Sequence, residues 1–268
     1  MHSLIWCSLT ESKSMKRVVI KVGSAVLTQD GKIALSRMRN LVEFLVALRE
    51  KYEVILVSSG AVAGGYTKLK LDRTILANKQ ALAAIGQPIL MGKYAKKFEK
   101  YDVITAQVLV TAANLNKSDD ILRIKNTVET LLAHKVLPIV NENDATATDE
   151  LEVGDNDQLS AYITKHTDAD MLVILSDIDA FYSSDPRKDP NAEVVKIVKN
   201  IDEKMLAQEV TPNNVFATGG IVTKLKAAAY LLDEDKAMFL ASGFDLSDVK
   251  AFMLEGIHKG GTLFKKGK

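Results

Sequence analysis

Clustered carboxylates are the residues of this sequence whose types and spacing most directly suggest chemistry. A long polar stretch begins with Asn141-Glu142-Asn143-Asp144 and ends with Gly154-Asp155-Asn156-Asp157. Long irregular loops tend to be functional or disordered, and the apolar segments on both sides of this one favour function. Its carboxylates could bind an ammonium group, orient lysines or hold a divalent ion through water. An acidic surface loop without a role is the alternative.

Two lysines occur at places that would suit an anion. Lys21 lies in an apolar segment and is followed by Gly23 and Ser24, whose backbone N–H groups can approach a phosphate. Lys224 follows Gly219-Gly220 near the start of a predicted helix, where the helix dipole favours an anion and opposes a cation. Both lysines are candidate phosphate contacts. Each is also compatible with a solvated side chain, so neither is decisive alone.

The elements that must position these residues alternate between strands and helices. Apolar runs predict strands at 17–22, 54–57, 103–110, 136–140, 171–175 and 237–240, with a further β-like segment at 180–182. Periodicity predicts helices around 41–48, 74–97, 121–132, 158–166 and after Gly220, the second interrupted at Gln87-Pro88. Strands that are apolar throughout are typical of a sheet buried on both faces. The predicted fold is an α/β, three-layer α/β/α sandwich with a mostly parallel central sheet.

Composition narrows the class of protein. The 268 residues carry a formal net charge of +1, so no general field favours nucleic acid or an anionic membrane. Cys7 is the single cysteine and the four histidines are dispersed, which excludes a disulfide within the chain and a cysteine-based zinc site. A reducing, cytoplasmic location is therefore expected, and no segment is apolar for long enough to span a membrane. Residues 1–14 are interpreted as an extension of uncertain status, ahead of one domain at 15–268.

Several well-known catalytic motifs are absent from the sequence. There is no G-x-x-x-x-G-K-[ST], no G-x-G-x-x-G after the first strand, and no H-R-D or D-F-G. There is also no G-x-S-x-G and no histidine near a candidate nucleophile, so hydrolase triad chemistry has no support. Ligands of open α/β sheets bind outside the carboxyl ends of the strands, and the polar segments already named lie at those ends.

A series of segments, taken in order, resembles the amino-acid kinase superfamily and within it the glutamate 5-kinases. The segments are V-V-I-K-V-G-S-A-V-L, S-S-G-A-V-A-G-G, K-Q-A-L-A-A-I-G-Q, V-N-E-N-D-A, V-G-D-N-D-Q-L-S-A, D-P-R and T-G-G-I-V-T-K-L-K-A-A. The resemblance covers nearly all of 15–268. A C-terminal domain like the RNA-modification (PUA) module of many members is not expected here, because the chain ends soon after the kinase domain closes.

The resemblance implies a role for each matching residue. Lys21, Lys224 and Asp157 would be catalytic, the lysines contacting the transferred phosphoryl group and Asp157 organising them. The amino-acid substrate would be bound by Ser59, Gly60, Ala61, Asp144 and Asn156. The nucleotide would be bound by Lys21, the N–H groups of Gly23 and Ser24, Ser176, Asp177, Thr218, Gly219, Gly220, Ile221, Val222, Thr223 and Lys224.

The implied reaction is ATP-dependent phosphorylation of the side-chain carboxylate of L-glutamate, the first step of proline biosynthesis. Mg²⁺ would enter on the ATP phosphates, with no dedicated protein metal site. A homo-oligomer, dimer or tetramer, and feedback inhibition by proline are also expected. Three alternatives stay open: a kinase for another acid such as acetylglutamate or carbamate, a non-catalytic amino-acid sensor, and a nucleic-acid-binding module. The presence of both lysines argues against the sensor, and the near-neutral charge argues against the nucleic-acid module.

Overall fold

The computed structural model describes residues 16–146, 156–186, 188–202, 205–206 and 220–267. The predicted extension at 1–14, together with Gly154, Asp155, Thr218 and Gly219, lies outside these ranges. The strands are β1 (Lys16–Val22), β2 (Thr28–Gln29), β3 (Lys32–Ile33), β4 (Tyr52–Ser58), β5 (Thr105–Val110), β6 (Leu137–Glu142), β7 (Met171–Ser176), β8 (Ile197–Val198), β9 (Ala237–Ser242) and β10 (Thr262–Phe264).

The helices of the described ranges are listed here in chain order. They are α1 (Ser24–Leu27), α2 (Leu35–Arg49), α3 (Ala61–Tyr66), α4 (Leu76–Phe98), α5 (Ala112–Leu115), α6 (Ser118–Ala133), α7 (Asn156–His166), α8 (Ile221–Asp233) and α9 (Ser247–Lys250). A 3-10 turn follows α4 at Glu99–Tyr101, and a π-helical turn follows α9 at Ala251–Glu255. All six predicted strands and all five predicted helices are present, with boundaries shifted by one to a few residues.

One eight-stranded sheet organises the molecule, in the order β5-β6-β4-β1-β7-β9-β10-β8. In this sheet order, each strand from β5 to β9 pairs in parallel with its neighbour, and β10 pairs antiparallel with β9. The mostly parallel sheet expected from the sequence is therefore confirmed. Sequence periodicity missed β2, β3, β8 and β10, since strands of two or three residues are too short to show an alternating pattern.

The central strand β1 contributes to two separate cores. Val18, Ile20 and Val22 pack with residues of α2 and α4, whereas Val19 packs on the opposite face with residues of α6, α7 and α8. Successive side chains of a strand point to opposite faces, so a strand buried on both sides has to be apolar at nearly every position. This accounts for the continuous apolar runs and confirms the three-layer arrangement.

Helix α4 corrects one prediction, because it continues through Pro88 without interruption. Proline has no N–H to donate to the carbonyl of Ala84, which normally weakens a helix interior. Here Leu82 on one side of Pro88 and Leu90 on the other are both fully buried, so packing against the core holds the two halves in line. None of the helices in the described ranges has both the length and the apolar composition that crossing a membrane requires.

Candidate active site

Three charged side chains meet at the carboxyl end of β1. Lys21 Nζ lies 2.5 Å from Asp157 Oδ1, and Lys224 Nζ donates a hydrogen bond of 3.0 Å to Asp157 Oδ2. Both lysines are 5% exposed and Asp157 is fully buried. One carboxylate therefore holds two ammonium groups, one on each oxygen, and the formal charges of the three side chains sum to +1. A buried excess of positive charge is favourable only where an anion or water can reach it.

Local structure explains why the three residues converge. Lys21 shares a strand face with Val19, the face that α7 and α8 cover. Asp157 lies in the first turn of α7, where the helix dipole stabilises a carboxylate. Lys224 lies in the first turn and a half of α8, and its ammonium group also donates to the carbonyl of Gly220 at 2.8 Å. The prediction that Asp157 organises both lysines thus has a direct geometric basis.

The environment of Asp157 keeps it ionised. Burial by itself raises the pKa of this carboxyl, but Coulombic attraction and hydrogen bonds from Lys21 and Lys224 outweigh burial and hold the pKa at about 2. Thr223 adds a hydroxyl 2.9 Å from Asp157 Oδ2. A carboxylate this acidic cannot accept a proton at neutral pH. Asp157 is therefore a fixed negative charge at neutral pH, which disfavours a role as general base.

A second set of predicted residues meets beside α7. Asn156 Nδ2 donates to Ser59 Oγ at 2.8 Å and to Asn141 Oδ1 at 3.0 Å. Both amide hydrogens of Asn156 are thereby used. Its buried Oδ1 atom has no hydrogen-bond partner among the described residues. An unused buried acceptor in this position is suited to an N–H donor supplied by a ligand.

The hydrogen-bond chain continues through two glutamines that the sequence analysis missed. Asn141 Nδ2 donates to Gln87 Oε1 at 2.9 Å, and Gln87 Nε2 donates to Gln107 Oε1 at 3.0 Å. Gln87 comes from α4, Gln107 from β5 and Asn141 from β6. Each amide fixes the orientation of the next, and Gln107 takes part through its Oε1, so its NH₂ group is not used within this series of amides. Gln87 could have been identified from the sequence, because it is a polar residue on the buried face of an amphipathic helix.

This series of hydrogen-bonded amides ends at a cavity of about 170 Å³. Ala61, Gln87, Gln107 and Asp144 are among the residues that line it. Burial raises the pKa of Asp144, whose side chain is partly buried. The cavity thus combines two carboxylates, Glu142 and Asp144, with oriented amides and small apolar side chains. Its size and polarity suit a small zwitterion.

The turn from β4 into α3 contributes Ala61 to the lining of the cavity. Gly60 has φ 108°, a left-handed conformation that glycine adopts without strain. Ala61 then begins α3 and is buried. Behind the turn, Gly86 of α4 packs so closely that an added Cβ would lie 1.7 Å from the carbonyl oxygen of Ala61. The predicted substrate residues Ser59, Gly60 and Ala61 therefore lie on a turn that α4 supports.

Residues predicted to bind the nucleotide lie around the start of α8. Ser176 ends β7, and its hydroxyl donates to Asp177 Oδ1 at 2.9 Å, while Asp177 itself is exposed. Gly220 packs against Ile178, since a Cβ at Gly220 would be 3.0 Å from the Ile178 side chain. The segment after β7 and the start of α8 are thus adjacent. Thr218 and Gly219 of the predicted set lie outside the described residues.

Side-chain burial refines the roles predicted for α8. Ile221 and Val222 belong to the hydrophobic core, so any ligand contact at these positions has to come from the backbone. The Thr223 hydroxyl lies within hydrogen-bond distance of Asp157 Oδ2 and of the Gly220 carbonyl, which directs it into the charged trio. Of the predicted nucleotide residues in this helix, Lys224 is therefore the one whose side chain brings a positive charge to the site.

One detail of the predicted phosphate contacts needs correction. The backbone N–H of Gly23 donates to the carbonyl of Leu175 at 3.0 Å, which uses this donor to join β1 to β7. The Gly23 amide is therefore not offered to a phosphate in this structure. Ser24, the next residue, is exposed at the start of α1, and its contact with the nucleotide stays a prediction.

The family model for the amino acid kinase family matches residues 16–242. Solved structures agree at the level of the fold. Isopentenyl phosphate kinase from T. acidophilum superposes with a TM-score of 0.65 at 14% identity, covering 93% of this chain and 100% of that chain. Carbamate kinase from Giardia lamblia, solved with AMP-PNP bound, has a TM-score of 0.64 at 16% identity and covers 94% and 99%. The chain belongs to the amino acid kinase family.

Relatives of nearly the same length show which group of the amino acid kinase family this chain resembles. Glutamate 5-kinase from Leishmania donovani is 50% identical over 252 residues, covering 94% of this chain and 96% of the relative. Glutamate 5-kinase from Wolinella succinogenes is 49% identical over 258 residues, covering 94% and 99%. Within the amino acid kinase family the chain therefore groups with the glutamate 5-kinases.

Proposed function

We propose that this protein is an ATP-dependent kinase that phosphorylates the side-chain carboxylate of L-glutamate, forming glutamyl 5-phosphate and ADP. The observation that carries the proposal is the buried trio of Lys21, Asp157 and Lys224, whose formal charges sum to +1. Asn156, next to Asp157 in the chain, is joined through Asn141 to Gln87, which lines the cavity. Full-length relatives named glutamate 5-kinase support the choice of substrate. On this basis the reaction is the entry step of proline biosynthesis.

The acceptor is bound by its amino-acid end and needs no activation by a base. Asp144 and the unused Oδ1 of Asn156 are suited to its ammonium group. Ala61, which follows Ser59 and Gly60, lines the cavity, and Ser59 is linked to Asn156 by a hydrogen bond. A glutamate side chain has a pKa of about 4.3, so it arrives as a carboxylate at neutral pH. One carboxylate oxygen attacks the γ-phosphorus of ATP, the bond to the β-γ bridging oxygen breaks, and ADP leaves.

Catalysis on the phosphoryl side consists of positioning and charge neutralisation. Lys21 and Lys224 would contact the equatorial oxygens of the transferred group, where negative charge is concentrated. Asp157 holds both ammonium groups in place, so little reorganisation is needed when the transition state forms. The exposed Ser24 and the segment around Ser176, Asp177 and Gly220 are assigned to the nucleotide.

Mg²⁺ fits this arrangement as a companion of ATP. Among the residues that the structure describes, no group of three His, Cys, Asp or Glu side chains is placed to hold a metal ion. We expect the ion to take most of its ligands from phosphate oxygens and water, as Mg²⁺ usually does with nucleotides. When bound, it supplies further neutralisation of phosphate charge.

The decisive experiment is an ADP-release assay with ATP, Mg²⁺ and single acceptors. L-Glutamate should support turnover, and trapping the product with hydroxylamine should give the hydroxamate of an acyl phosphate. Acetylglutamate, carbamate and aspartate are the comparison acceptors. Turnover with one of these and none with glutamate would replace the proposed substrate.

A homo-oligomer and feedback inhibition by proline belong to the same proposal. Ile104 and Leu122 are 69% and 57% exposed, and β5, which follows Ile104, is an edge strand of the sheet. Exposed apolar side chains beside an edge strand support association between copies. Sedimentation equilibrium tests the oligomer, and the glutamate assay with added proline tests the inhibition.

A further inference from the structure

A fully buried tyrosine reaches the back of the substrate turn. Tyr94 lies on α4, and its hydroxyl is 2.9 Å from Ser58 Oγ at the end of β4. Both side chains have no exposed surface. Ser58 directly precedes Ser59, the residue that receives the hydrogen bond from Asn156. Tyr94 therefore contacts the residue that precedes Ser59 in the chain, and it does not itself line the cavity.

The direction of the two hydrogen bonds follows from counting protons. The Ser58 hydroxyl donates to the carbonyl of Ser59 at 3.1 Å. A hydroxyl has one hydrogen, so the Tyr94 hydroxyl has to be the donor to Ser58. Burial raises the pKa of Tyr94 above its ordinary value of 10.0, against the opposing effect of the Ser58 hydrogen bond, and so the phenol stays protonated. The path runs from Tyr94 to Ser58 and on to the Ser59 carbonyl.

This path acts on the backbone segment that leads from β4 into α3. The Ser59 N–H donates to the carbonyl of Val22 at 3.3 Å, a long hydrogen bond. The next residue, Gly60, has the left-handed φ of 108°, so the peptide between Ser59 and Gly60 sets the direction of the turn. Fixing the Ser59 carbonyl fixes that peptide plane. It thereby orients the Ser59 hydroxyl toward Asn156 and the start of α3 toward the cavity.

We propose that Tyr94 is a positioning residue for the substrate turn, acting through Ser58 on the peptide between Ser59 and Gly60. The inference rests on the proposed role of Ser59 in binding the amino-acid substrate. Tyr94 has no part in the phosphoryl side of the reaction. Its loss should weaken binding of the acceptor and leave binding of ATP unchanged.

The test is Tyr94→Phe, which removes one hydroxyl and keeps the ring that packs in the core. Tyr52 is a matched control, at the opposite end of β4 from Ser58: it is also buried, and its hydroxyl donates to the Met253 carbonyl at 3.1 Å. Tyr94→Phe and Tyr52→Phe should lower the melting temperature to a similar extent. Only Tyr94→Phe should raise KM for glutamate, by about fivefold, the effect of one hydrogen bond, with KM for ATP unchanged.

A second variant tests the path itself. Ser58→Ala removes the middle hydroxyl and should raise KM for glutamate as Tyr94→Phe does. The double variant should be no worse in KM than the worse single variant, because both changes break one path. Full additivity would contradict the path, and an unchanged glutamate KM in Tyr94→Phe would overturn the inference.

Ser59→Ala separates failure of this inference from failure of the proposed function. If Ser59→Ala raises KM for glutamate and Tyr94→Phe does not, Ser59 binds substrate and only the role of Tyr94 is wrong. If neither variant changes KM for glutamate, the proposed site is wrong as well. An equal rise in KM for Tyr52→Phe and Tyr94→Phe would show a general effect of lost stability, which also overturns the inference.

Discussion

Lys21 Nζ lies 2.5 Å from Asp157 Oδ1, which joins the end of the central strand to the first turn of α7 in a buried contact. Lys224, which lies in α8, contacts the other oxygen of the same carboxylate. Two cations are thus held by one anion, so the removal of one cation and the removal of the anion have opposite consequences. Removing either lysine leaves a balanced ion pair, whereas removing the carboxylate leaves two buried cations together.

Lys21→Ala and Lys224→Ala should each lower kcat by about 10²- to 10³-fold, the effect of losing one donor to a developing negative charge. The remaining lysine and Asp157 still form a neutral pair, so the melting temperature should change little. Lys226→Ala is the matched control, since Lys226 is an exposed lysine of the same helix as Lys224. Steady-state kinetics with saturating ATP and glutamate provide the measurement. Wild-type kcat in both lysine variants would remove their catalytic assignment.

Asp157→Asn should destabilise the protein by about 3–5 kcal/mol at neutral pH, because Lys21 and Lys224 stay buried without their carboxylate. The loss should depend on pH. The folded-state pKa of Asp157 is lowered from 3.8 to about 2, so its stabilising effect is complete above pH 3.8 and is lost as pH falls toward 2. That change in the unfolding free energy is on the order of 2 kcal/mol.

Urea titrations between pH 2 and pH 7 measure this dependence for wild type and Asp157→Asn. The difference in unfolding free energy should be constant above pH 4 and shrink below it. Other carboxylates titrate in both proteins and cancel from the difference. A constant difference down to pH 2 would show that Asp157 is not stabilised by the two lysines.

Asp144→Asn should raise KM for glutamate by about ten- to hundredfold, the typical effect of losing a charged hydrogen bond. Asp144 lines the cavity and touches neither lysine of the trio in the described contacts, so kcat and KM for ATP should change little. Asp119→Asn, at an exposed position in α6, is the comparison variant. Equal glutamate KM values for the two variants would contradict the substrate role of Asp144.

Two glycines of α4 should respond oppositely to alanine. A Cβ at Gly86 would lie 1.7 Å from the Ala61 carbonyl oxygen, so Gly86→Ala has to displace α3 and the substrate turn. A Cβ at Gly92 meets nothing within 4 Å, and Gly92→Ala should stabilise the helix by about 0.5–1 kcal/mol. Thermal unfolding should therefore show a lower melting temperature for Gly86→Ala and a higher one for Gly92→Ala. Kinetics should show a raised glutamate KM in the first variant alone, and similar behaviour of both would contradict the close packing of α3 on α4.

Elements with a strong local signal were predictable from the sequence. Continuous apolar strands such as β1 and β7, and the polar segments that follow them, are local patterns that burial on two faces imposes on a chain. The same holds for Lys21 and Lys224, which stand out because a lysine is costly in apolar surroundings or at a helix start. Pro88 shows the limit of such reasoning, since packing of both halves of α4 outweighs its local preference.

The sequence by itself determined the order of strands and helices, the sheet edge that carries the polar residues, and the two lysines as phosphate candidates. Tertiary structure alone decided which oxygen of Asp157 each lysine takes, how Gln87 and Gln107 extend the site, and that Tyr94 reaches Ser58. These contacts join residues far apart in the chain. They depend on strand register and on how closely α4 approaches α3, and neither quantity leaves a periodic signal in the residues concerned.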